Sequence, residues 1–66
     1  MPKPQITSKN LEVLSELMVL EELAYKKYAA YSNSFKDAEL KTACATIAEN
    51  HKGRFTAMLD YLNTHE

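Results

Sequence analysis

Placed about 100° apart around a helix axis, Leu14, Leu17, Met18, Ala24, Tyr25 and Tyr28 gather on one face, with Glu21 at its centre. The same operation further along the chain gathers Leu40, Cys44, Ile47, Ala48, Phe55, Met58 and Leu62, with His51 at the centre and Arg54 at the edge. No alternation of the strand type competes with this pattern, and Leu, Ala, Glu, Lys and Met, all good helix formers, dominate. Pro2 and Pro4 precede the patterned region, the only glycine is Gly53, and nothing from Gln5 to Lys52 forces a break. The pattern predicts two long helices.

Local signals set the expected boundaries. Thr7 suits an N-cap, with Ile6 and Leu11 placed at the two positions of a hydrophobic staple. Ser32, Asn33, Ser34 and Phe35 form the one small, polar interruption, where Asn33 tolerates a left-handed turn and Ser34 or Asp37 can cap the next helix. The expected organisation is one all-α domain: a tail over 1–6, helix 1 over 7–32, a turn over 33–36 and helix 2 over 37–63. Two helices of this length, each roughly 37 to 42 Å at 1.5 Å per residue, fold back as an antiparallel hairpin. Gly53 falls inside the second helix, on the side away from the apolar stripe, and reads either as a surface glycine or as a point of close helix approach.

Length turns this pattern into a problem of stability. A domain of 66 residues seldom builds a core large enough to offset its conformational entropy without a disulfide, a metal or a partner subunit. Cys44 is the only cysteine, so an internal disulfide is excluded. Val19, Leu23 and Ala30 form a second, narrow stripe on the far side of helix 1, among Glu12, Glu16, Lys26 and Lys27. A lone hairpin has no interior there, so this stripe is either ordinary exposed apolar surface or a contact with another copy. The expected remedy for stability is a homodimer or larger homo-oligomer, two hairpins packing their main faces into a four-helix bundle.

Charge narrows the list of partners. Eight Lys and Arg are interspersed with nine Asp and Glu for a net charge of -1, which argues against nucleic acid or an anionic membrane as the main partner. The longest aliphatic run, Leu17 to Leu20, is far below the roughly 20 residues of a membrane span. The first residues show no secretory pattern, and a cytoplasmic location is the expectation.

Glu21 and His51 are the candidate chemistry. An ionisable group within an apolar stripe is costly unless something satisfies it. Folding at Phe35 leaves the two residues within about 3 Å of the same height. They meet either as a carboxylate–imidazole hydrogen bond, which favours the charged form of the acid, or as ligands to a metal, since both are common donors to zinc and iron. Tyr25 and Tyr28 are close enough along the helix to hydrogen-bond the carboxylate, or serve simply as amphipathic packing. Cys44, Met18 and Met58 read as packing groups, and no residue is assigned a catalytic role.

Glu21 followed by Ala24 and Tyr28, then Ile47-Ala48-Glu49-Asn50-His51-Lys52 leading to Leu59-Asp60-Tyr61-Leu62, resembles half of a ferritin-like or rubrerythrin-like bundle. The segment from Asp37 to Leu62 is also similar to the spore coat protein F-like hairpins of that superfamily. In the family a glutamate on one helix and a Glu-x-x-His motif on the next supply metal ligands, and two halves complete a two-metal site. Glu21 stands at the first glutamate and His51 at the histidine, but Ala48 stands where the second glutamate belongs. Glu49 points about 160° away from His51 and does not replace it. The resemblance implies a ferritin-like four-helix bundle formed by dimerisation; with the second glutamate missing, the expectation is a non-enzymatic structural or interaction role, of the spore-coat kind, without a cofactor. The alternative it implies is a rubrerythrin-like metal-binding or redox protein, in which Glu21 and His51 of two chains hold iron, manganese or zinc.

Overall fold

Thr7 opens the first helix by accepting a hydrogen bond on its Oγ1 from the amide of Asn10 at 3.1 Å, which satisfies one of the donors that a helix start leaves free. In a computed structural model that describes residues 5–65, helix α1 runs Ser8–Ser34 and helix α2 runs Ala38–His65. Most of the expected tail over 1–6 lies outside the described residues. The described chain is all-helical, two helices joined as an antiparallel hairpin.

Both helices extend further than expected at their ends. The first continues through Ser32, Asn33 and Ser34, because Ser34 donates its hydroxyl to the Tyr31 carbonyl at 3.0 Å instead of capping α2, a bond that a helical serine makes without leaving the helix. Asn33 adopts no left-handed turn, since no described residue, glycine included, has a positive φ. The helix ends at Phe35, whose backbone is extended (φ -79°, ψ 142°) while its amide still reaches the Tyr31 carbonyl. Asp37 then caps α2, its Oδ1 accepting from the Leu40 amide at 3.0 Å. At the far end α2 passes Asn63, and the His65 carbonyl accepts a hydrogen bond from the Ile6 amide at 2.9 Å.

Three cross-connections define the register: Ile6 to His65 at the open end, Glu21 to His51 midway, and the Ser32 hydroxyl to the Lys41 carbonyl, 3.0 Å, beside the turn. Each pair straddles the turn almost symmetrically, so the helices lie alongside one another without slippage. Most residues removed from solvent follow a spacing of four and three, Leu14, Met18, Glu21, Tyr25, Tyr28 and Ser32 on α1 and Cys44, Ala48, His51, Phe55, Met58, Leu62 and His65 on α2, with Glu22, Ala24 and Ala29 partly sheltered beside that line. That is the seam of an antiparallel coiled coil.

The seam is narrower than the stripe expected from periodicity. Leu17, Leu40 and Ile47, all expected on the core face, are 44%, 46% and 36% exposed. Two helices meet along a line, and residues on either side of it have nothing to cover them. Among the described residues only Ala48 is buried, at 4% exposure. Gly53 is not a point of close approach: no atom lies within 4 Å of the place where its β-carbon would stand.

The resulting shape is elongated and flat, 52 × 21 × 10 Å, with a radius of gyration of 15.3 Å against about 11 Å for a compact chain of this length. Its accessible surface is 5191 Å², whereas a compact monomer of this mass presents about 4,200 Å². Among the described residues, no helix is long and apolar enough to cross a membrane.

Candidate functional site

Glu21 stands at the midpoint of α1, and His51 stands within a residue of the midpoint of α2. The seam brings them together: the His51 Nδ1 donates to Glu21 Oε2 at 2.8 Å, with side chains only 18% (Glu21) and 20% (His51) exposed. Each satisfies the other, which is why two ionisable groups are tolerated in an otherwise apolar seam. An Nδ1 that donates to the carboxylate leaves the ring's other nitrogen as the acceptor in the neutral tautomer.

Arg54 completes the cluster. One turn beyond His51, its Nη1 lies 3.6 Å from Glu21 Oε1, so the carboxylate is approached by different groups at its two oxygens. The same nitrogen is 3.4 Å from His51 Nδ1, a proximity rather than a hydrogen bond once that nitrogen's proton points at Glu21. The hydrogen bond from His51 holds the Glu21 carboxyl below the ordinary carboxylate value, helped by the nearby charges of His51 and Arg54 and opposed by partial burial. Arg54 is 57% exposed, so its part in this is screened by solvent. The helical wheel puts Arg54 at the edge of the stripe; its reach back to Glu21 depends on the separation of the helices, which the wheel does not contain.

The tyrosines do not hydrogen-bond Glu21. Tyr28 stacks on the His51 ring, centroids 5.7 Å apart and planes 19° from parallel, while its edge meets Tyr31 at 6.1 Å. It therefore holds the imidazole plane, a role visible only once the two helices are paired. Tyr25 instead lies under the Lys52 ammonium, 5.7 Å from the ring centroid. Cys44 is half-buried on the seam and is a free thiol.

The arrangement limits the chemistry available. Among the described residues, no Ser, Thr or Cys side chain hydrogen-bonds Glu21 or His51. Nor, among the described residues, does any group of three or more His, Cys, Asp or Glu side chains converge as a metal site. One chain offers Glu21 and His51 alone, with the buried Ala48 one turn before His51 supplying no donor side chain. That donor set is too small for a tetrahedral or octahedral ion, so it does not fit iron, manganese or zinc within a single hairpin.

Comparison with known proteins returned no matching family model, no matching characterised protein and no matching solved structure, so the functional reading rests on these residues and the surfaces around them.

Proposed function

We propose that the chain works as a structural or interaction module: a ferritin-like helical hairpin that pairs with a second copy into a four-helix bundle, without enzymatic activity. One observation carries this reading. A chain that is 45% hydrophobic buries only Ala48 among its described residues, and its surface exceeds that of a compact monomer by roughly 900 Å². A standard protein interface removes about 800 Å² from each partner, so one copy supplies the missing cover. The Glu21–His51 pair, midway along the seam, is suited to fixing register, as single buried polar groups do in helical bundles. Sedimentation at micromolar concentration tests the reading: a particle of two or more chains is expected, and a fully helical monomer overturns it.

Metal binding between chains is the second reading, favoured by the direct meeting of Glu21 and His51. Two hairpins would contribute two carboxylates and two imidazoles, enough for one tetrahedral ion. Metal analysis of protein purified from its native host separates the two. Stoichiometric metal, with a rise in melting temperature on adding zinc, manganese or ferrous iron, supports this second reading; trace metal and no thermal response leave the pair structural.

A further inference from the structure

A second seam runs beside the one that joins the helices. Val13, Leu17, Leu20 and Ala24 on α1 repeat the spacing of four and three, each one residue before a member of the internal seam, and Ile47 and Tyr61 of α2 stand in the equivalent place. One helix seam can be filled by one neighbour; two adjacent seams require a neighbour on each side. In an antiparallel hairpin this offset carries the residues of both helices to the same broad side, and the shallow groove shared by Val13, Leu17 and Tyr61 shows that it does. Leu17, Leu20, Ile47 and Tyr61 there are 44%, 61%, 36% and 47% exposed.

The opposite broad side is furnished differently. It carries the Glu22–Lys26 ion pair at 2.8 Å and the Lys52 ammonium over Tyr25, groups that already have partners within the chain. The stripe of Val19 and Leu23, 57% and 60% exposed, belongs to α1 alone and is bordered by charge. The opposite side also spans both helices, where Ala29 and Ala45 line a shared groove, but the large exposed apolar side chains Val13, Leu17, Leu20, Ile47 and Tyr61 gather on the side with the second seam, where Arg54 continues the Glu21–His51 layer outward.

We infer that a second copy of this chain packs on that broad side, about a two-fold axis crossing the helices at the level of Glu21. The inference rests on the dimer proposed above and specifies its interface. Charge supports a copy of the same chain as the occupant. Glu16 and Lys27 stand on the outer rim of this side, nearly equidistant from Glu21 in opposite directions, and neither has an ion-pair partner among the described residues. Such an axis sets α1 antiparallel to the partner's α1, placing Glu16 opposite the partner's Lys27 and the reverse. The contact is self-complementary, as a two-fold interface must be.

The test begins with sedimentation of the unaltered chain, where a monomer overturns the dimer itself and with it this interface. Given a dimer, methyl spectra in the presence of a soluble paramagnetic agent locate the contact without any substitution. Protection of Leu17, Leu20 and Ile47 with attenuation of Val19 and Leu23 is expected; the reverse pattern overturns the inference while leaving the dimer intact. Charge reversal then tests the axis. Glu16→Lys alone and Lys27→Glu alone should each weaken association about tenfold, and the two together in one chain should restore it. A double variant no tighter than either single one overturns the proposed axis.

Discussion

The His51 imidazole donates to the Glu21 carboxylate across 2.8 Å at the middle of both helices, so the one polar layer of the seam lies where a shift of either helix would break it. Its energetic meaning follows from an asymmetry. Removing one member of a half-buried pair leaves the other unsatisfied, whereas removing both returns the site to apolar packing.

Glu21→Leu and His51→Phe, made singly, should each lower the melting temperature, while the double variant should match or exceed the unaltered protein. Thermal denaturation followed by circular dichroism at constant chain concentration reads this directly. A double variant less stable than the unaltered protein would mean that the pair is worth more than the apolar contacts replacing it.

Acid should remove the contribution of Glu21. Its carboxyl is held below the ordinary value of 4.5, so in the window between the two values the unfolded chain binds more protons than the folded one and stability rises with pH. The contribution is complete above about pH 4.5 and is lost as pH falls through the lower folded value. Comparing Glu21→Gln with the unaltered chain isolates it from the other carboxylates: the difference in melting temperature should shrink on acidification, and a constant difference would contradict the pairing.

Gly53→Ala should stabilise the protein by up to about 1 kcal/mol, the cost of glycine in a helix interior. The added methyl meets no atom within 4 Å. Urea denaturation should show a higher midpoint with an unchanged slope, and a lower midpoint would place a neighbour at this position in the assembled protein.

At the turn, Asp37→Ala removes the cap of α2 and should cost about 1 kcal/mol. Ser32→Ala removes the hydroxyl that bridges to the Lys41 carbonyl, with a loss of about 1 kcal/mol. Equilibrium unfolding checks both, and amide exchange should quicken first in the opening turn of α2 in the Asp37 variant.

Two helices, the Thr7 cap and the meeting of Glu21 with His51 were legible in the chain, and Asp37 was one of two candidates, with Ser34, for the cap of α2. Caps and breakers act over a few residues, and a hairpin of regular helices leaves only one variable, the position of the turn. Phe35 shows where local reading ran short. Ser32, Asn33 and Ser34 suit a loop or a helix equally by type, and a hydroxyl bonding back to a carbonyl decides for helix. The ends of both helices moved outward for such reasons.

Sequence by itself determined the secondary structure and the level at which the polar pair sits, because helical periodicity and rise per residue are properties of the backbone. Only the tertiary structure decided which apolar residues the hairpin covers. Periodicity marks every residue that favours burial, and it does not say how many neighbours a helix has. With a single neighbour the line from Leu14 to Ser32 is sheltered and the parallel line from Val13 to Ala24 remains largely open. Arg54 and Tyr28 joined the Glu21–His51 pair for the same reason: their contacts depend on the distance and rotation between two helices, which no single helix encodes.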